Sequence, residues 1–360
     1  MSTSDEAVVV WGELLWDRFP DGARLGGAPA NVAFHLGQAG GWARLVSRVG
    51  DDDDGRRAID DISAFVDPSL IQIDPERATG EVTIHLVGGE PRYTLQPGRA
   101  WERIACTPAT SVAIGEAGVL IYGTLSQRTP EGLAAWEGAI AAAGPGCMKV
   151  CDVNLRRRAD GVMIEDPHVV ARALAAADVI KVNDKELATL AQTFGWADPI
   201  AALLAGVSTS PANSNAMEPA LASSPSRSTA SVSRAPLAAS PSSSTASTTS
   251  TDSSTPSVAT SEAAHRARRV LAITHGAAGS TLYGDGAPIE IPGVQSRPGG
   301  DNVGCGDAYV ALLVLGMTMG FDLATSGRIA ARWAAAVASV RGATPVFEEH
   351  EIAHMLELEA

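Results

Sequence analysis

Short apolar runs alternate with longer alanine-rich stretches along most of the chain. The apolar runs have few polar positions, which is typical of strands buried on both faces of a parallel sheet; they lie at 7–11, 118–122, 149–153, 179–182 and 270–274. The alanine-rich stretches are typical of helices that cover such a sheet; they lie at 30–39, 130–143, 168–177 and 327–340. This alternation predicts a doubly wound α/β fold.

Two further runs, at 80–87 and 91–95, alternate between apolar and polar residues. The residues between them, Gly88-Gly89-Glu90, form a turn signal, and strands on either side of such a turn are typical of a β-hairpin. A hairpin outside the main sheet can cover a binding site. We therefore predict a small β-lid built from about 14–25 and 80–97.

The segment 207–261 is built mainly from Ser, Ala, Thr and Pro, and its charges are Glu218, Arg227, Arg234 and Asp252. Such a composition cannot bury a core and predicts disorder. Patterned sequence continues on both sides, and loop closure becomes only slowly more costly with length. We therefore predict an insert within one domain that spans 1–360. A neutral surface expansion and a regulatory docking segment both stay open.

Composition narrows the function classes. The 360 residues are 45% hydrophobic, which suits a large globular core, and the formal charge of -14 without a basic run argues against nucleic acid. The polar start of the chain shows neither a signal peptide nor a membrane span, so we expect a cytoplasmic location without membrane partners. The four cysteines are too scattered for a disulfide framework, and the close pair Cys147/Cys151 lacks a second metal-type pair or nearby histidines, so we interpret all four as reduced thiols.

The densest group of candidate functional residues is the run Asp301-Asn302-Val303-Gly304-Cys305-Gly306-Asp307, which precedes the apolar stretch 310–317. Glycines before a helix let backbone N–H groups converge, and the helix dipole adds positive potential there. The run predicts a phosphate-binding helix start with the carboxylate of Asp307 at its edge. An aspartate there can also be only an N-cap, so the run alone leaves both roles open.

This run resembles the Asp-Thr-x-Gly-Ala-Gly-Asp signature of the ribokinase-like, or PfkB-type, carbohydrate kinases. Further segments similar to this family's motifs occur in family order at 26–33, 47–52, 152–156, 183–186 and 274–279. The resemblance covers nearly the whole chain except the insert. It implies an α/β fold of the ribokinase-like type, a three-layer α/β/α sandwich with a mainly parallel central sheet and a small β-lid.

The resemblance implies ATP-dependent phosphorylation of a sugar hydroxyl. Phosphoryl transfer needs an in-line hydroxyl, charge stabilisation and a metal ion on the nucleotide phosphates. Asp307 is expected to act as general base, and the backbone amides of Gly304, Cys305 and Gly306 to hold the developing charge. Asn302 and Cys305 replace the family's usual threonine and alanine, whereas the glycines and Asp307 are retained.

Nucleotide and metal ligands are expected on two further segments. By resemblance, Asn183 and Glu186 bind ATP and organise Mg²⁺, with Glu186 acting through water, although the same spacing also fits a capping box. Thr274, Gly276 and Gly279 follow a buried strand and are expected to bind ATP; alone they indicate just a turn. The resemblance also allows K⁺ at the loop of Asp301.

The sugar is expected to contact Asp17, Gly27, Asn31 and Arg156. Carboxylate, amide and guanidinium groups suit sugar hydroxyls and phosphate oxygens. Each residue also has a structural alternative. Asp17 can be a turn residue, and Gly27 can meet a backbone requirement. Asn31 can cap a helix, and Arg156 can form a surface ion pair.

Segments 15–22 and 123–128 are most similar to bacterial fructokinase-type members, so fructose is the first candidate substrate. Ribose, 2-keto-3-deoxygluconate or adenosine phosphorylation and a non-catalytic binding or regulatory module are the alternatives. A homodimer, which the family forms through its lid, is also open.

Overall fold

The computed structural model describes residues 7–87, 90–156, 165–206 and 269–356, and for 84–87 and 90–93 it describes the backbone only. The predicted insert at 207–261 lies outside the described residues. All predicted strands and helices fall within the described ranges.

Thirteen strands are present in the described residues. They are β1 Val8–Trp11, β2 Leu15–Phe19, β3 Gly22–Gly26, β4 Ala43–Gly50, β5 Ile71–Asp74, β6 Gly80–Val87, β7 Glu90–Leu95, β8 Val119–Tyr122, β9 Met148–Asp152, β10 Val179–Asn183, β11 Val270–Thr274, β12 Gly279–Tyr283 and β13 Ile289–Pro292.

Ten α-helices connect or flank these strands in the same ranges. They are α1 Ala28–Gln38, α2 Asp53–Ile62, α3 Pro108–Gly115, α4 Pro130–Ala142, α5 Pro167–Ala176, α6 Asp184–Phe194, α7 Pro199–Ala205, α8 Cys305–Thr318, α9 Leu323–Ala338 and α10 Glu349–Leu356. None of these helices combines the length and apolarity needed to cross a bilayer.

The main sheet has nine strands in the order β13-β12-β11-β10-β9-β8-β1-β4-β5. Every pair from β11 to β5 is parallel, and β12 and β13 are antiparallel additions at one edge. The five predicted buried strands are the consecutive strands β11, β10, β9, β8 and β1. The prediction of a mainly parallel α/β sheet is therefore confirmed.

Side chains of the central strands alternate between two cores. Val8 and Val10 of β1 pack in one core with α1, α8 and α9, whereas Val9 and Trp11 pack in the other with α3, α4 and α5. Successive residues of a strand point to opposite faces, so a continuous apolar run fills both cores. Helix α8 is apolar on almost all sides because α1 and α9 pack against it in addition to the sheet.

A second, four-stranded sheet has the order β3-β2-β6-β7. Strands β2 and β3 pair antiparallel, β2 and β6 pair parallel, and β6 and β7 pair antiparallel as predicted for a hairpin. Asp17 lies in β2, so the alternative of a turn residue is wrong. A lid role for this sheet stays a prediction.

A buried histidine ties α1 to the C-terminal part of the chain. The His35 Nε2 atom donates to the carbonyl of Ala343 at 2.9 Å, and its Nδ1 atom accepts from the indole N–H of Trp333 at 3.2 Å. His35 is 0% exposed. Burial lowers its pKa to about 4, although the bond to Ala343 opposes this shift, so the ring stays neutral.

We expect His35 to make the fold sensitive to acid. An unfolded histidine takes up a proton near pH 6.5, whereas folded His35 resists until about pH 4. The free energy of unfolding therefore decreases as the pH falls through this window, by about 3 kcal/mol from this group. Urea unfolding of wild type and His35→Gln at several pH values isolates the effect. Parallel pH dependences of the two proteins contradict it.

Candidate active site

The start of α8 is fixed by a glycine that the C-terminal loop covers. Gly304 has a φ of 76° and precedes the helix as its N-cap. A Cβ atom at Gly304 would lie 2.6 Å from the Cα atom of Ala343. The Asp301 carboxylate accepts from the Val303 amide at 3.0 Å and the Gly342 amide at 3.2 Å. The helix start and the loop at 342–343 therefore hold each other in place.

Asp307 lies in the first turn of α8 and is 8% exposed. Its Oδ2 atom accepts from the Asn31 Nδ2 atom at 2.8 Å. The caps of α8 and α1 are Gly304 and Gly27, so the cap alternatives for Asp307 and Asn31 are wrong. Burial, followed by the nearby Asp152 charge, raises the pKa of Asp307 to about 7. Such a carboxylate can exchange a proton near neutral pH.

Asn183 and Glu186 form a capping box at the start of α6. The Asn183 Oδ1 atom accepts from the Glu186 amide at 2.9 Å, and the Glu186 Oε2 atom accepts from the Asn183 amide at 2.8 Å. The other Glu186 oxygen accepts from the Leu155 amide at 3.0 Å. The capping box, which the spacing of Asn183 and Glu186 also allowed, is therefore present in the structure. Each Glu186 oxygen therefore already accepts one backbone hydrogen bond.

A cavity of about 370 Å³ opens beside the start of α8. It brings together the predicted Thr274, Gly276 and Gly279 with Cys305 and Gly306. It is also lined by four alanines of α9: Ala331, Ala334, Ala335 and Ala338. Apolar alanine side chains and helix-start amides in one cavity suit a base joined to phosphates. Asn183 pairs with Thr274 across neighbouring strands but does not line this cavity.

Cys305 lines the same cavity. Burial, followed by the charges of Asp301 and Asp307, raises the pKa of its thiol to about 12. The thiolate is the reactive form of cysteine. Cys305 is therefore a weak target for thiol reagents at neutral pH.

Three of the four residues predicted for the sugar, Asp17, Asn31 and Arg156, are connected by charge or through Asp307. Burial raises the pKa of Asp17 to about 6, and the charges of Arg156 and Arg24 oppose this shift. Arg156 also acts on the charge of Asp307, which Asn31 contacts. The fourth residue, Gly27, has a φ of 103°, so its backbone requirement is real.

Within the described residues, Arg156 is held by hydrogen bonds to Asn154 and Glu165, and its guanidinium forms no ion pair there. Its guanidinium donates to the carbonyl and side chain of Asn154, which has a φ of 41°. Its backbone amide donates to the buried Glu165 carboxylate at 3.0 Å. Asparagine adopts a left-handed backbone more readily than most residues, so Asn154 suits this turn.

Three charged residues of the site were missed in the sequence. Glu13 is 2% exposed, lies after β1 and faces Arg156. Lys181 and Asp152 form a buried ion pair of 3.0 Å between β10 and β9. Lys181 had a signal, because a charged side chain inside an apolar strand needs a buried partner.

The chain belongs to the pfkB family of carbohydrate kinases, whose family model matches residues 22–210 and 245–350. The ribokinase-like resemblance is thereby confirmed.

Particular relatives agree with this family. A fructokinase of Vibrio alginolyticus is 28% identical over 198 residues, 53% of this chain and 64% of the relative. An aminoimidazole riboside kinase of Salmonella typhimurium is 27% identical over 179 residues, 48% of this chain and 55% of the relative. The chain thus spans less than two thirds of these relatives. Fructokinase with bound ATP from Xylella fastidiosa shares the fold, with a TM-score of 0.70, 20% identity and coverage of 97% of both chains.

Gly304→Ala tests the fixed helix start, and Gly320→Ala is its matched control. Gly320 follows the other end of α8 with a φ of 81° and has no atom within 4 Å of an added Cβ. In both variants the positive φ lowers the free energy of unfolding by about 1 kcal/mol. Gly304→Ala also overlaps Ala343, so we expect about 2 kcal/mol of additional destabilisation. Urea unfolding measures both, and equal losses contradict the account.

Proposed function

We propose that this protein transfers the γ-phosphoryl group of ATP to a primary hydroxyl of a sugar, with fructose as the first candidate. The observation that carries the proposal is the position of Asp307. Its buried carboxylate lies in the first turn of α8, whose residues Cys305 and Gly306 line the cavity, and it is close enough to Arg156 to feel its charge. Nucleotide and sugar can therefore approach one carboxylate from two sides.

Asp307 acts as the general base in this proposal. The sugar hydroxyl loses its proton to an Asp307 oxygen while the hydroxyl oxygen forms a bond to the γ-phosphorus. The bond from that phosphorus to the β,γ-bridging oxygen breaks, and ADP leaves with the electron pair. Asn31 holds the Asp307 carboxylate through its 2.8 Å hydrogen bond, which orients the base before the substrate arrives.

The helix start supplies the charge stabilisation. The first amides of an α-helix have no partner within the helix, and the helix dipole makes this end positive. Gly304 supplies no side-chain cap, so the amides at 305–307 stay available to phosphate oxygens. Fixed donors that need no reorganisation are the main source of rate enhancement in this kind of site.

Mg²⁺ would be held here through bound water, with Glu186 as the acceptor. No group of three or more His, Cys, Asp or Glu side chains in the described ranges is arranged to hold a metal ion directly. Both Glu186 oxygens already accept one amide hydrogen bond each, yet a carboxylate has further lone pairs for metal-bound water. When bound, Mg²⁺ neutralises charge on the nucleotide phosphates. K⁺ at Asp301 stays a prediction.

Hydrogen-bonding groups and the relatives together support a sugar acceptor. Asp17 and Asn31 can bind hydroxyl groups, and Arg156 can bind a hydroxyl or a phosphate oxygen. The fructokinase relative favours fructose, and the riboside kinase relative keeps a ribosyl compound as the second candidate. A homodimer and a cytoplasmic location stay predictions.

Asp307→Asn tests the base. The amide keeps the shape of the side chain and cannot accept the hydroxyl proton, so we expect kcat to fall at least ~10³-fold while the Kd for MgATP changes less than about threefold. Coupled ADP release and calorimetric ATP titration measure the two quantities. Asp60→Asn, on the exposed face of α2, is the control and keeps wild-type activity. Retention of kcat in Asp307→Asn contradicts the assignment.

A panel of sugars with MgATP separates the candidate substrates. We expect ADP release with fructose to exceed that with ribose, 2-keto-3-deoxygluconate, adenosine and aminoimidazole riboside. A larger kcat/KM for a ribosyl compound moves the assignment to the second candidate. Absence of ADP release with all of them, by protein that binds ATP, favours the non-catalytic binding module instead.

A further inference from the structure

A lysine lies directly beneath the start of α8. Lys181 is in the middle of β10 and is 4% exposed. Its Nζ atom donates to the Asp152 Oδ1 atom at 3.0 Å. A Cβ atom added to Gly306 would lie 2.7 Å from this nitrogen. The ammonium group therefore occupies the space that any side chain at Gly306 would need.

The surroundings keep Lys181 charged. Burial disfavours the ammonium form, but the carboxylates of Asp152, Glu186 and Asp307 outweigh it and raise the pKa of Lys181. Asp152 has a second buried oxygen, Oδ2, without a hydrogen-bond partner in the described residues. The lysine is thus a permanent positive charge among carboxylates, one of which is Asp307.

The ion pair of Lys181 and Asp152 is not explained by its contribution to the stability of the fold. A buried ion pair costs about as much in desolvation as it returns, and apolar residues of similar size often do better. The neighbours of Lys181 along the strand, Ile180 and Val182, are fully buried apolar residues. A pair with an unsatisfied oxygen beside the candidate base suggests a role in the chemistry.

We propose that Lys181 is the counter-ion that the Asp307 base and the start of α8 share, and that Asp152 is the residue that positions it. This inference rests on the proposed function of Asp307 as base. Lys181 favours the ionised form of the Asp307 carboxylate and adds positive charge beneath the amides that contact the transferred phosphoryl group. Asp152 aims the ammonium group by accepting one of its protons.

The charges that face Asp307 set opposite expectations for the two partners. Asp152, from β9, raises the pKa of Asp307, whereas Lys181 from β10 and Arg156 from the loop after β9 lower it. Asn31, from α1, contributes a hydrogen bond that also lowers it. Removing the lysine charge must therefore raise the pKa of the base, and removing the Asp152 charge must lower it.

Two variants test this proposal through the pH dependence of kcat/KM. In wild type we expect activity to fall below about pH 7 as Asp307 is protonated. Lys181→Met should move this acidic limb upward by roughly one pH unit or more, and Asp152→Asn should move it downward by a similar amount. Lys181→Met should also lower kcat at its own pH optimum by ~10-fold to 100-fold because the charge under the helix start is lost.

A direct titration separates this inference from the proposed function. The ¹³C carboxyl signal of Asp307, assigned by its loss in Asp307→Asn, reports the pKa of the base without turnover. Upward and downward shifts in the two variants support the counter-ion role even if no tested sugar is phosphorylated. If Lys181→Met does not fold, Asp152→Asn alone carries the test with its downward shift.

A merely structural pair gives a different result. Both variants would then lower the free energy of unfolding while the acidic limb and the Asp307 titration stay where they are in wild type. That outcome overturns the proposal. Shifts in the same direction for both variants overturn it as well, because they contradict the opposite charges of Lys181 and Asp152.

Discussion

The hydrogen bond between Asn31 and Asp307 joins two helices of the same layer at the point where the candidate chemistry takes place. Helix α1 is itself fixed to the C-terminal loop, because His35 donates to the Ala343 carbonyl and Gln38 donates to the Pro345 carbonyl. The same loop covers Gly304, at the start of α8. The orientation of the Asp307 carboxylate therefore depends on packing among three segments far apart in the chain.

Around that bond the protein buries more acid than base. Burial raises the pKa of Glu13, Glu165 and Glu186, and Lys181 and Arg156 supply the opposing positive charges. Buried charges are costly unless they are paired. A concentration of buried charged groups at the carboxyl ends of parallel strands is typical of an active site in an α/β fold.

The layers of the fold and the candidate role of the glycine-aspartate run could be predicted from the sequence, because strand periodicity and glycine chemistry are local properties. The contact between Asn31 and Asp307 could not be predicted, because the two residues lie 276 positions apart in the chain. The role of Lys181 could not be predicted either, because this residue lies inside the apolar run of β10. Only the strand order, with β9 beside β10, shows that Asp152 is its partner.

The most direct test is a crystal structure with the preferred sugar and a non-hydrolysable ATP analogue. We expect the accepting hydroxyl to lie at about 2.6–3.2 Å from an Asp307 oxygen. We also expect the γ-phosphate at the amides of the α8 start, in line with that hydroxyl. A sugar whose hydroxyls all point away from Asp307, with the phosphates bound elsewhere, contradicts the central claim.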